Sequence, residues 1–209
     1  MAGAKNTQTG NRRDNDMDAR TIDVYDRGAG TFANDWHEQP APSDLHRLVQ
    51  KYFHAGRTAD IGCGSGRDTA WLSANNFLAI GYDPSDGLIA EARRRYPNIE
   101  FHKSSLPDLE GTASGSFVNV LCETVIMHLP QNDVGPSVRR LMSLLVPGGT
   151  LYLSWRVTER DTRDDAGRLY LAIEPETIIE NLSPAIILLD EEVTSISSGK
   201  TIHHIIARK

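Results

Sequence analysis

Apolar residues in this chain follow two different spacings in turn. Leu45, Leu48, Val49, Tyr52 and Phe53 keep the i, i+3, i+4, i+7, i+8 rhythm of one buried helix face, with Ser43 or Asp44 available as N-cap. Thr58 to Ile61 then predicts a short strand entering a glycine-rich turn, Arg67 to Asn75 a helix, and Phe77 to Tyr82 an apolar strand ending at Asp83-Pro84. Leu88 to Tyr96 reads as a helix and Ile99 to His102 as a brief strand, while a Gly-Ser turn opens a strong strand from Phe117 to Cys122. Val138, Leu141, Met142 and Leu145 mark a helix face that stops at Pro147-Gly148-Gly149, and Thr150 to Trp155 is again a strand. Nearly continuous apolar strands alternating with helices imply a parallel sheet covered on both faces, an α/β fold. After a short helix at Ile178 to Leu182, the strand-like runs Ala185 to Ser195 and Thr201 to Lys209 flank Ser197-Ser198-Gly199 and predict a closing antiparallel hairpin.

Upstream, Ile22, Tyr25, Phe32 and Trp36 lie among polar residues with Gly28 and Gly30, which predicts a broken helical segment. Residues 1–20 hold almost nothing apolar, so a disordered tail is expected there rather than a signal peptide, with 21–209 as a single domain. A chain of 209 residues that is 39% apolar can bury a core without disulfides. Its two cysteines, Cys63 and Cys122, fit neither a disulfide framework nor zinc-ligand spacing, and a cytoplasmic setting with reduced thiols is expected. The 22 basic and 28 acidic side chains leave a net charge of −6 without a basic run, so nucleic acid is not an expected partner. Charge interrupts every apolar run within about ten residues, so no membrane span is expected.

The chemistry concentrates after the first strand. Gly62, Gly64 and Gly66 let backbone approach a ligand closely, because no β-carbons stand in the way. A dinucleotide fold would space its glycines G-x-G-x-x-G and face a pyrophosphate, whereas here the third glycine comes one residue early and Asp60 stands two before the first. Asp60 would repel a pyrophosphate and suits a cationic amino group, and Asp83 is placed to accept hydrogen bonds from two ribose hydroxyls.

Ala59-Asp60-Ile61-Gly62-Cys63-Gly64-Ser65-Gly66-Arg67-Asp68, Gly81-Tyr82-Asp83-Pro84-Ser85 and Val146-Pro147-Gly148-Gly149-Thr150-Leu151 together resemble the successive motifs of class I S-adenosylmethionine-dependent methyltransferases. The Gly-Arg-Asp ending of the turn is similar to the thiopurine and tellurite-resistance branch of small methyltransferases. The resemblance implies a doubly wound, mostly parallel seven-stranded sheet of order 3-2-1-4-5-7-6, with S-adenosylmethionine at the C-terminal strand ends and S-adenosylhomocysteine as product. It implies cofactor contacts from the Gly62–Gly66 turn, including Cys63 and the adjoining Arg67, a ribose held by Asp83, and adenine beside Pro84 and Ser104-Ser105-Leu106. Many relatives place an Asp before that Leu-Pro pair, and its absence leaves the adenine amino group without its usual acceptor. With that strand order Glu123 approaches the cofactor, and in the small methyltransferases an N-terminal helix bearing residues such as Tyr25 and Trp36 folds over it.

Methyl transfer from a sulfonium is an in-line displacement that needs alignment and desolvation and sometimes a base. His128, after the fourth strand, either packs or acts as the general base, whereas His203 and His204 are expected to be ordinary strand residues. In the charged run after the fifth strand, Arg156 and Arg168 with Tyr170 suit an anionic or planar small molecule, and Arg163 adds a further donor. A small-molecule O, N or S acceptor and a monomer or homodimer are expected. The competing readings are a module that binds S-adenosylmethionine without turnover and a nicotinamide-dependent oxidoreductase.

Overall fold

A computed structural model describes residues 18–209, so the expected tail up to Met17 lies outside the described residues. Helix α1 (Ala19–Glu38) is a single unbroken element that starts ahead of the expected domain boundary, with the Asp18 carboxylate accepting from the Thr21 amide at 2.9 Å as its N-cap. Gly28 and Gly30 each cost a helix interior about 1 kcal/mol relative to alanine. Docking offsets that cost: Ala29 and Ala33 are buried, and Asp26 accepts from Ser85 Oγ and, at 3.0 Å, from the Gly87 amide. Gly87 permits this approach, since a Cβ there would stand 2.8 Å from the Asp26 carbonyl oxygen.

Then follow α2 (Ser43–Tyr52), β1 (Arg57–Ile61), α3 (Arg67–Ala74), β2 (Leu78–Asp83), α4 (Asp86–Arg95), β3 (Glu100–Lys103) and β4 (Phe117–Cys122). A 3-10 turn at Ile126–His128 leads to α5 (Gln131–Leu144), β5 (Leu145–Arg156), the two-residue strands β6 (Thr162–Arg163) and β7 (Leu169–Tyr170), α6 (Pro175–Leu182), β8 (Ile186–Thr194) and β9 (Thr201–Arg208). The main sheet has the order β3-β2-β1-β4-β5-β9-β8, parallel from β3 to β5 and antiparallel in β9 and β8. With the separate β6–β7 ribbon set aside, this is the 3-2-1-4-5-7-6 order that the motifs imply.

The period of two along each strand sorts its side chains between two cores. Val120, Cys122, Leu151, Leu153, Ile205 and Ala207 pack on one face with Val134, Val138 and Leu141 of α5 and Ile178 of α6. The intervening Leu121, Tyr152 and Ile206 pack on the other with Leu45 and Val49 of α2 and Leu72 of α3. β5 begins earlier than the sequence suggests, because Pro147-Gly148-Gly149 is carried as an irregularity inside the strand. Leu145 pairs with Phe117 and Thr150 with Asn119, a register shift across that segment.

Candidate active site

β1 and β4 are neighbours whose onward connections diverge, β1 toward β2 and β4 toward β5, so a crevice opens beyond their C-terminal ends. Gly62, Gly64 and Gly66 all take positive φ, at 75, 54 and 83°. The Gly64 amide donates to Asp83 Oδ2 at 2.9 Å and the Ser85 amide donates to Oδ1 at 2.9 Å. Asp83 thus clamps the glycine turn to the start of α4 and keeps a free lone-pair direction on each oxygen. Burial raises its carboxyl to about 6 against the two amide bonds.

The cleft is lined at this end by Gly62, Cys63, Gly64, Arg67, Asp68, Asp83, Pro84 and Glu123, and by Tyr25 and Trp36 from α1. Arg67 pairs with Asp68 at 3.0 Å and its Nη1 reaches the Trp36 carbonyl at 3.3 Å. Trp36 stacks on Phe32 and leans over the glycine turn, where a Cβ on Gly64 would come 2.8 Å from its ring. Cys63 is buried and its thiol is pushed well up by desolvation.

The structure places five of the expected cofactor residues, Asp60, Gly66, Ser104, Ser105 and Leu106, outside the lining of the cleft. Asp60 is not at the cleft surface: it accepts from Thr69 Oγ1 at 2.6 Å beneath the turn, and burial raises its carboxyl to about 7. Gly66 caps α3 and faces Phe101 and Tyr96 instead of the cleft. Leu106 is in the core, and Ser104 and Ser105 spend their hydroxyls on the carbonyls of Glu110 and Leu106, away from the cleft. The acids that do face the cleft beside Asp83 are Glu123 and Asp68, the latter quoted in the sequence motif without a role.

Glu123 accepts from Ser154 Oγ at 2.5 Å, and burial raises its carboxyl to about 7. A carboxyl whose pKa is higher folded than unfolded stabilises the fold while protonated, and that contribution is lost as pH rises from its unfolded value toward 7. Glu123→Gln keeps an acceptor for Ser154 and removes the ionisation. Its stability in urea is expected to exceed that of the parent by about 1–3 kcal/mol at pH 8, with the difference vanishing near pH 4. A gap independent of pH would show that Glu123 is not held neutral.

At the opposite end α1 meets the β6–β7 ribbon. Leu169 N donates to Thr21 Oγ1 at 2.9 Å, and Arg163 pairs with Asp18 at 2.8 Å, which removes Arg163 from the set of acceptor donors. Arg168 is held by Asp164 at 2.6 Å and donates to Tyr25 Oη at 3.2 Å. His128 Nδ1 contacts the Leu169 carbonyl, which only accepts, so that nitrogen carries the proton. Nε2 is therefore an acceptor, and Tyr25 Oη, 3.1 Å away, donates to it. Burial lowers His128 to about 4 and raises Tyr25 to about 12, so both are neutral near pH 7. Tyr170 packs edge-on against His128 and lies under the Arg156 guanidinium, 5.1 Å from its centroid. The cleft also takes in Gln39, Thr124, Met127 and the β8–β9 turn, with Ser195, Ser197, Ser198 and Lys200, none of which the sequence singled out. Their only sequence signal was position at the rim of the sheet. His203 and His204 sit in β9 and pair with Asp190 and Glu191 on β8.

A family model described as methyltransferase domain matches residues 59–149, which run from β1 through the glycine turn and Asp83 to the Gly-Gly pair of β5. Over that segment the chain is similar to methyltransferase domains. The ubiquinone biosynthesis O-methyltransferase of Xanthomonas campestris pv. campestris is 31% identical over 137 residues, covering 59% of this chain and 56% of that protein. The trans-aconitate 2-methyltransferase of Methylobacterium nodulans is 33% identical over 97 residues, covering 46% and 36%. The chain spans about half the length of the curated relatives it matches. In structure, the chain is similar to Burkholderia thailandensis 1,6-didemethyltoxoflavin-N1-methyltransferase, with a TM-score of 0.70 at 21% identity over 91% of this chain and 88% of that one. That likeness is one of fold. Among the described residues no helix is long and apolar enough to cross a membrane, and no group of side chains could hold a metal ion.

Proposed function

We propose that this chain is a cytoplasmic enzyme that transfers the methyl group of S-adenosylmethionine to a small-molecule O, N or S acceptor. The observation that carries this reading is the division of labour around Asp83: both its oxygens are tied to the glycine turn and α4, yet each retains a lone pair for a ribose hydroxyl. Asp83 itself and the neighbouring Asp68 favour a cationic cofactor and oppose a pyrophosphate, which weighs against a nicotinamide cofactor. The relatives named for methyl transfer, and the Burkholderia structure described with bound S-adenosylhomocysteine and 1,6-didemethyltoxoflavin, support the same reading.

Bound there, the sulfonium of the cofactor supplies an electrophilic methyl group. The chain's own residues supply the rest. The glycine turn presents backbone, Asp83 orients the ribose, Trp36 and Tyr25 cover the site, and Tyr170, Met127 and Ile22 line the acceptor end and limit water. His128 cannot receive a proton directly from an acceptor while Tyr25 occupies Nε2, so a base role runs through the Tyr25 hydroxyl. Arg168, fixed by Asp164, polarises that hydroxyl and does not bind the acceptor as a free charge.

Titration calorimetry with S-adenosylmethionine and with NAD tests the cofactor, and release of S-adenosylhomocysteine in the presence of a metabolite panel tests turnover. Binding of the first without NAD binding is expected. Binding without any turnover would favour a non-catalytic module. Asp83→Ala is expected to weaken S-adenosylmethionine binding by about 1.5–3 kcal/mol, the scale of hydrogen bonds to a charged acceptor, and a folded variant of unchanged affinity would remove Asp83 from the site.

A further inference from the structure

The charges around the cleft are segregated. Asp68, Asp83 and Glu123 lie at the glycine-turn end, whereas Arg156 and Lys200 lie at the rim formed by β5 and the β8–β9 turn. Two of the four cations on the cleft wall already have carboxylate partners: Arg67 on Asp68 at 3.0 Å and Arg168 on Asp164 at 2.6 Å. Arg156 and Lys200 have no ion-pair partner among the described residues. Arg156 stands opposite Ile202 in the β5–β9 register, Lys200 lies two residues before Ile202 in the turn that leads into β9, and both line the cleft.

The turn beside them is built of hydroxyls. Ser195 and Ser197 share a hydrogen bond at 3.2 Å, and the Ser195 carbonyl closes the turn by accepting from the Gly199 amide at 2.9 Å. The same cleft also has apolar lining, from Ile22, Met127, Ile202 and the Tyr170 ring. Two cations on one cleft rim without carboxylate partners attract an anion into the cleft, and the planar Arg156 fork matches a carboxylate.

We propose that the acceptor is a carboxylate-bearing small molecule whose carboxylate is held between Arg156 and Lys200, with its apolar body against Tyr170 and Met127. This places the negative end of the acceptor at the rim and its methyl-receiving atom toward the glycine turn. The inference rests on the reading that the cofactor occupies the glycine-turn end.

The test uses the full chain loaded with S-adenosylhomocysteine and matched acid and amide probes: 4-hydroxybenzoate with 4-hydroxybenzamide, salicylate with salicylamide, and phenyl phosphate as a different anion. Ligand-observed NMR titration is expected to show at least one acid binding tenfold or more tightly than its amide and than phenyl phosphate. Arg156→Gln and Lys200→Gln should each reduce that preference threefold or more without changing S-adenosylhomocysteine affinity. Equal binding of acids and amides, no binding by any acid, preference for the phosphate, or a preference that survives the double variant would each overturn the proposal. If S-adenosylhomocysteine itself fails to bind, the cofactor reading falls. The same probes on the unloaded chain then decide the anion site separately.

Discussion

Gly64→Val is expected to abolish S-adenosylmethionine binding in a chain that still shows the circular dichroism of a folded α/β protein. Three effects add at one residue. The φ of 54° is a left-handed conformation that β-branched side chains avoid. The new Cβ would stand 2.8 Å from the Trp36 ring, so it strikes the aromatic cover over the turn. Any backbone shift that relieves either problem pulls the Gly64 amide away from Asp83, breaking the 2.9 Å bond that shapes the ribose end. Titration calorimetry reads the result, and parental affinity in the folded variant would place the cradle elsewhere.

Tyr25→Phe and His128→Ala are each expected to lower kcat/KM by about 100-fold once an acceptor is in hand, the usual scale for a positioned general base. Tyr25→Phe is the cleaner change, because the ring contacts with Phe32, Trp36 and His128 survive and only the hydroxyl is lost. Members of one relay act as a unit, so the double variant should lose about as much as either single one. Additive losses would show two independent roles, and near-normal rates in both would show that transfer proceeds without this base. The proposed relay would carry the proton from the acceptor to Tyr25 Oη and from Tyr25 Oη to His128 Nε2, whose other nitrogen is anchored on the Leu169 carbonyl.

The sheet was readable because its strands are buried on both faces, so Thr58–Ile61, Phe117–Cys122 and Thr150–Trp155 appear as apolar runs with little ambiguity. The glycine turn and Asp83 were readable for a local reason: backbone approach demands glycine, and the acid follows one strand later. α1 was misread because Gly28 and Gly30 signal a break, and what overrides them is tertiary. Asp26 reaching Ser85 and Gly87 cannot be seen from local spacing. The same limit explains the acids. Asp60 is close to the turn in sequence but faces Thr69, whereas Glu123 reaches the cleft from β4, and only the folded sheet distinguishes them. In the sequence Arg163 and Arg168 read as donors for an acceptor, and their partners Asp18 and Asp164 become visible only when the β6–β7 ribbon folds back. Lys200 and the serines beside it gave no signal beyond a turn composition.

The bonds that join α1 to the β6–β7 ribbon span long stretches of the polypeptide: Arg163 to Asp18 bridges 145 residues, Leu169 to Thr21 bridges 148, and Arg168 to Tyr25 bridges 143. On a ribosome making roughly 5–20 residues per second, α1 therefore emerges many seconds before the strands that hold it down. During that interval β1 to β4 and the glycine turn can form while Tyr25 and Phe32 still lack their Arg168 partner. Closure of this wall waits on the β6–β7 ribbon, and a chain that terminates before Arg168 would leave those two rings without that cover.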